Sequence, residues 1–223
     1  MGTLYVLATP IGNLKDITLR ALEILKNADL ILAEDTRVTK KLLAHFEIKK
    51  PVIRYDEYAA GKIYSEVLEK LKEGQKIALV TDAGTPGISD PGAKLVAFIQ
   101  KELPRAKIIP IPGPSALTAA LSVSGLNANQ FVFFGYPPHK KGRQTFFKNL
   151  KEIETRPVVF YESPHRFRKA LENLKEVFGG EAEIIVAREL TKIYEEIFRS
   201  SILEAINHFQ SERVKGEFVI IIP

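Results

Sequence analysis

The chain has 223 residues, 45% of them hydrophobic and 26% charged, which suffices for real cores and argues against disorder. A net charge of +5 permits an acidic partner, and the absence of cysteine excludes a disulfide framework, a thiolate metal site and a cysteine nucleophile. There is no run of about 18 apolar residues to span a membrane, and MGTLYVLATPIGN has neither a cationic start nor a small-residue cleavage site. A cytoplasmic protein with no membrane partner is expected.

Strand-like and helical runs alternate from the start. Strands are predicted at Leu4 to Ala8, Leu30 to Ala33, Val52 to Tyr55, Ile77 to Val80 and Ile108 to Ile111. Helices are predicted between and after them, at Ile17 to Asn27, Thr36 to Phe46, Ser65 to Glu73, Ala93 to Lys101 and Ser115 to Ser122, with Asp16 a candidate cap for the first. This repetition implies a mostly parallel sheet covered on both faces. Small and polar residues from Ser124 to Asn129 mark a linker, so domains 1–124 and 125–223 are expected. In the second half, strands are predicted at Phe131 to Phe134, Val158 to Tyr161, Ile184 to Ala187, Glu195 to Arg199 and Phe218 to Ile222. Helices there fit Gln144 to Leu150, Arg166 to Phe178 and Leu203 to Phe209. A short link between the last strands and the alternation in Glu195 to Arg199 suggest a mixed sheet. The expected fold class is α/β: two α/β domains with a ligand cleft between them.

TDAGTPGISDPG, from Thr81 to Gly92, is the most informative stretch. It follows a buried-type strand and holds three Gly, two Pro, two Asp, two Thr and one Ser. Such a loop suits tight turns and hydrogen bonding, not packing. Similar polar loops follow the other strands: Thr9 to Asn13, Glu34 to Arg37, Pro112 to Ala116, Gly135 to Pro138, Glu162 to Arg166 and Arg188 to Lys192. In open α/β sheets the ligand crevice lies at the carboxyl ends of strands, where such loops converge. The common phosphate loop, dinucleotide fingerprint and nucleophile elbow are all missing, and the four His residues lack metal-ligand spacing, so no metal is expected. Two basic clusters point to a phosphate-bearing substrate such as RNA: His139 to Lys151, which contains no acidic residue, and His165 to Lys169. Arg37, Lys141, Arg143, Arg166 and Lys192 are the candidate phosphate contacts. Phe133, Tyr136, Phe146 and Phe147 lie near the basic run and serve either a stacked base or the core.

LYVLATPIGNLKDITLRALEIL, AEDTR, TDAGTPGISDPG, PGPSALTAAL, YESPHR and RELTK together resemble the ribosomal small-subunit RNA cytidine-2′-O-ribose methyltransferases. These belong to the tetrapyrrole-methylase-like (class III) S-adenosylmethionine enzymes, and the resemblance runs from Leu4 to about Ile222. It implies 2′-O-methylation of a cytidine in 16S ribosomal RNA, with S-adenosylmethionine as cofactor. The implied partners are that RNA or the small ribosomal subunit and a second copy of the chain, as a homodimer. Cofactor contacts are implied for Thr9, Pro10, Asp82, Thr85, Pro86, Gly87, Ile88, Ser115 and Ala116. From the second half they are implied for Tyr161, Glu162, Ala187, Arg188 and the Lys215, Gly216, Glu217 stretch. For the proton acceptor, Glu162, Asp35, Glu189 and Lys192 remain open, as does the reading in which Glu162 only orients Arg166 or a loop amide. Members of that family often carry a C-terminal extension, and any RNA contact it makes is expected to be absent or replaced here. The rival readings are a tetrapyrrole or protein acceptor for the same methyl group, and a non-catalytic RNA-binding assembly factor.

Overall fold

The computed structural model describes residues 1–55, 60–210 and 215–223. It divides into two compact units, Met1–Ser115 and Ala116–Pro223.

The first unit is built on β1 (Thr3–Leu7), β2 (Leu30–Ala33), β3 (Val52–Arg54), β4 (Lys76–Val80) and β5 (Lys107–Ile111). Their spatial order is β3-β2-β4-β1-β5, and every pairing is parallel. The strands are apolar at nearly every position because both faces are covered. Leu7, Ile31, Ala33, Ala78 and Val80 face one core with α1 (Leu19–Asn27) and α2 (Thr36–His45). Leu4, Leu30, Leu32, Ile77 and Leu79 face the other, with α3 (Ala60–Lys72) and α4 (Ala93–Glu102). Thr18, not Asp16, caps α1: its side chain accepts from Ala21 N. Asn13 instead caps the short 3-10 turn Leu14–Asp16.

The second unit begins with α5 (Ala116–Val123) and continues through β6 (Val132–Phe133), α6 (Arg143–Leu150), β7 (Val158–Glu162), α7 (Pro164–Phe178) and β8 (Glu183–Arg188). It ends with β9 (Glu196–Ser201), α8 (Ile202–His208) and β10 (Phe218–Ile222). The sheet order is β6-β7-β10-β8-β9, with β6–β7 parallel and the rest antiparallel. Val158, Phe160, Ile184, Val186, Phe218 and Ile220 form its core with side chains of α6, α7 and α8. The boundary falls one helix earlier than expected, because α5 packs against β10 and Leu117 N donates to the Tyr161 hydroxyl at 3.2 Å. The polar stretch after α5 is thus a helix exit, in which Ser124 is buried and its Oγ donates to Leu121 O. Among the described residues no helix is long and apolar enough to cross a membrane.

Candidate functional site

A parallel sheet puts all its strand carboxyl ends on one edge, so the loops after β1, β2, β4 and β5 meet there. Hydrogen bonds tie three of them together. Thr9 and Gly84 form an antiparallel bridge, with Thr9 N donating to Gly84 O at 2.9 Å and Gly84 N to Thr9 O at 3.1 Å. The Thr9 hydroxyl, buried, donates to Thr81 O at 3.0 Å. Thr81 Oγ1 donates to Glu34 Oε2 at 3.0 Å, and Asp35 N donates to Asp82 Oδ1 at 3.0 Å. The Thr81–Gly92 loop turns on Gly84 and Gly87, at φ 85° and 83°, a region that L side chains rarely enter. Gly113, in the loop after β5, lies so close to β1 that a Cβ there would sit 3.1 Å from Ala8 Cβ.

Three carboxylates share this edge with unlike electrostatics. Asp35 caps α2, accepting from Arg37 N at 2.8 Å and from Arg37 Nε, and these bonds hold its carboxyl well below the usual carboxylate range. Burial pushes Glu34 up, against the Thr81 hydrogen bond, and the neighbouring Asp82 and Asp35 charges add to it. Asp82 is pushed up as well, by desolvation and by Asp35, against the bond from Asp35 N. Glu34 and Thr81 lie in two of the loops marked in the sequence, but the bond between them is not legible there. The legible signal is a carboxylate placed directly after the fully buried strand β2.

In the second unit, Glu162 ends β7 and is fully buried. Its Oε2 accepts from Arg143 Nη2 at 2.8 Å, and its Oε1 accepts from Ser163 N at 2.8 Å and pairs with Arg166 Nε at 3.0 Å. Arg166 Nε also lies 3.0 Å from Ser163 Oγ. Arg143 is buried too, over the Phe147 ring, and reaches Pro138 O. The expectation that Arg143 lies on a phosphate-binding surface is therefore corrected: its guanidinium is committed to a buried carboxylate. Both Glu162 oxygens are likewise engaged, and the buried carboxylate orients Arg166 and the Ser163 amide.

A second knot joins the β8–β9 turn to the segment before β10. Lys192 Nζ donates to Glu189 Oε1 at 2.8 Å and Glu217 Oε2 at 3.0 Å, Glu217 N donates to Glu189 Oε1, and Arg188 Nε donates to Lys215 O. Gly216 fits this knot because a Cβ there would meet Glu189 Cγ at 2.4 Å. Burial would raise the Glu189 carboxyl, but the Lys192 and Glu217 hydrogen bonds outweigh it and the net shift is downward. Burial likewise opposes the Lys192 charge, yet its two carboxylate partners hold the ammonium above its ordinary value.

The remaining expected residues fall out plainly. Thr9, Pro10, Asp82, Thr85, Pro86, Gly87 and Ile88 belong to the loops after β1 and β4, Ile88 with its side chain exposed. Ser115 closes the first unit and Ala116 opens α5. Ala187 is buried within β8, paired with Val219 and Ile197. Arg37 and Lys141 are exposed. Phe147 belongs to the core and Phe146 packs against it, whereas Tyr136 is exposed.

The tetrapyrrole (corrin/porphyrin) methylase family model matches residues 3–206. The chain belongs to this family. A Thermotoga maritima protein named ribosomal RNA small subunit methyltransferase I is 46% identical over 100% of this chain and 98% of its own length. A Synechocystis protein of the same name is 48% identical over 100% of this chain and 79% of its own. Two solved tetrapyrrole methylases, each 18% identical, share the fold. The cobalt precorrin-4 methyltransferase has a TM-score of 0.73, and the Thermus thermophilus uroporphyrin-III-C-methyltransferase one of 0.69; each match covers 99% of this chain and 94% of the other.

Proposed function

We propose that the chain transfers the methyl group of S-adenosylmethionine to the ribose 2′-hydroxyl of a cytidine in 16S ribosomal RNA. The observation that carries this reading is the 46% identity, across essentially both whole chains, to the relative named ribosomal RNA small subunit methyltransferase I. The proposed partners are 16S ribosomal RNA or the small ribosomal subunit, and a second copy of the chain; the proposed location is the cytoplasm.

The donor set of the first unit fits the cofactor. Glu34, Asp35 and Asp82 crowd one edge with Arg37 as close counter-charge, and two of these carboxyls are pushed up. A ligand carrying a sulfonium and an amino group relieves that excess of negative charge. Asp82 would hold a cationic or hydroxyl-bearing part of the cofactor, and the main chain of Thr85 to Ile88 the rest, with Thr9, Pro10, Ser115 and Ala116 as further contacts. Tyr161, Ala187, Arg188 and Gly216 are the proposed contacts of the second unit. When bound, S-adenosylmethionine supplies a methyl group on a sulfonium that leaves as a neutral thioether, so the protein's main task is in-line positioning. The chain's residues would hold the 2′-hydroxyl in line with that methyl group, and the hydroxyl proton would pass to a base or to water. Arg37, Lys141 and Arg166 are the proposed phosphate contacts, Arg166 held in place by Glu162 and Ser163.

The test is incubation with labelled S-adenosylmethionine and either immature small subunits or bare ribosomal RNA, followed by digestion to nucleosides. Label is expected in 2′-O-methylcytidine. Label in no RNA fraction, with cofactor bound, overturns the proposal, and label in a tetrapyrrole or a protein transfers it to that acceptor.

A further inference from the structure

Helices α6 and α7 of the second unit enclose a groove of about 410 Å³ that the methyl-transfer reading leaves unused. Gln144, Lys148 and Lys151 run down one wall at helical spacing (i, i+4, i+7), all exposed. Asn173, Glu176 and Glu152 also line it, and half-buried Val177 with the lysine stems supplies its apolar surface, Phe147 being buried beneath the lining. Asn173 is the unusual member. It sits in the interior of α7, where an amide is a poor helix former, and is only 8% exposed. Its Oδ1 is buried and accepts no hydrogen bond. A buried acceptor left unmet is costly and rare in native structures, which points to a donor that arrives from outside.

The chemistry of the walls narrows that donor's owner. Two lysines at one end provide a seat for a single anionic group, while Glu152 and Glu176 repel a polyphosphate. The apolar surface suits the face of a flat ring, and an amide pairs with the amine-bearing edge of a nucleobase. The volume lies within the range of small-ligand sites.

We propose that this groove binds a nucleotide with one phosphate and an exocyclic base amine, the amine donating to Asn173 Oδ1 and the phosphate lying between Lys148 and Lys151. The same chemistry is offered by a residue within an RNA strand and by a free mononucleotide. The strand is the favoured source, a choice that rests on the RNA reading above, because the groove continues the basic segment from His139 to Lys151.

The test compares the full chain with Asn173→Leu and with the surface double variant Lys148→Gln/Lys151→Gln. AMP is titrated while backbone amide shifts are followed by NMR, and a short single-stranded oligoribonucleotide is titrated by fluorescence anisotropy at several salt concentrations. AMP is expected to shift amides of residues 144–152 and 173–177, and to lose that effect in Asn173→Leu. The lysine variant is expected to bind the oligonucleotide about tenfold more weakly, with the log–log salt slope shallower by about 0.7 for one lost phosphate contact. S-adenosylmethionine affinity and the unfolding midpoint of the lysine variant stay unchanged. Weakened oligonucleotide binding without AMP shifts assigns the groove to the strand, and AMP shifts without altered oligonucleotide binding assign it to a free mononucleotide. No AMP shift together with unaltered oligonucleotide affinity and salt slope in the lysine variant overturns the proposal. A wild-type chain that methylates RNA while the groove fails these tests leaves the proposed function standing. If the wild type neither binds nor methylates RNA, the proposed function fails and the AMP titration decides the groove alone.

Discussion

At Arg143 a guanidinium that is 4% exposed lies 2.8 Å from a carboxylate that is fully buried, so neither charge has water to fall back on. Removing one partner of such a pair strands the other, a loss of about 3–5 kcal/mol. Arg166 still pairs with Glu162 and softens the loss, so Arg143→Ala is expected near the lower end of that range in a urea titration. Its RNA affinity, measured where the variant is folded, should keep the wild-type salt slope. A variant as stable as wild type but with a shallower slope would return Arg143 to the RNA surface. The period of α6 explains why a basic run hides two kinds of residue. Arg143, Phe147 and Leu150 share the buried face, while Gln144, Lys148 and Lys151 share the exposed one. That register was readable in the sequence, whereas the carboxylate that draws Arg143 inward sits at the end of the next strand and was not. Asp82 carries the opposite kind of prediction. Asp82→Asn keeps an acceptor for Asp35 N–H and removes a charge that burial and Asp35 disfavour. The exposed position screens the gain to a few tenths of a kcal/mol, roughly. The unfolding midpoint is therefore expected to stay or rise slightly while calorimetric affinity for S-adenosylmethionine falls; undiminished affinity would remove Asp82 from the cofactor site.

The Thr81–Gly92 loop shows how an element can depend on backbone conformation that only glycine supplies. Gly92 caps α4 at φ 144°, where a Cβ would meet Gly87 N and Leu79 Cδ2 at 3.2 Å each. Gly92→Ala should cost roughly 1–3 kcal/mol in urea unfolding, because neither the dihedral nor the contact tolerates a side chain. An unaltered midpoint would mean that the loop has another conformation available to it. Strands and helices were legible because their periods match their burial: Leu4 and Val6 face one core, Tyr5 and Leu7 the other. Boundaries were less so. Helix α3 starts at Ala60, ahead of the expected Ser65: Ile63 and Tyr64 continue the apolar spacing of Val67, Leu68 and Leu71, but Gly61, a weak helix former, obscures the start. The allegiance of α5 was hidden for another reason. Its apolar positions suit either neighbour, and only the contacts with β10 and Tyr161 decide the matter.

On the scale of the whole molecule, the shifted carboxyls pull stability in two directions as the pH falls. Asp35, Glu189 and Glu204 titrate below their ordinary values of 3.8, 4.5 and 4.5 in the fold. The stability they contribute is complete above those values and is lost as the pH falls through their folded ones. Glu34 and Asp82 titrate above 4.5 and 3.8, so the folded chain takes up their protons before the unfolded chain does and gains stability in that interval. Urea midpoints should therefore hold or rise slightly as the pH approaches about 4.5 from neutrality, then fall once it drops below about 3.8. Lys192, held above 10.5 by Glu189 and Glu217, adds a loss at the alkaline end as its folded value is passed. Glu34→Gln combined with Asp82→Asn should abolish the early rise and leave the later fall intact. The proposed function gives this curve a second reading. Protonating Asp82 discharges a group assigned to the cationic cofactor, so S-adenosylmethionine affinity should decline in the interval where the fold gains stability. Cofactor affinity that holds steady through that interval, while the fold gains stability, would show that the Asp82 carboxylate serves the fold and not the ligand.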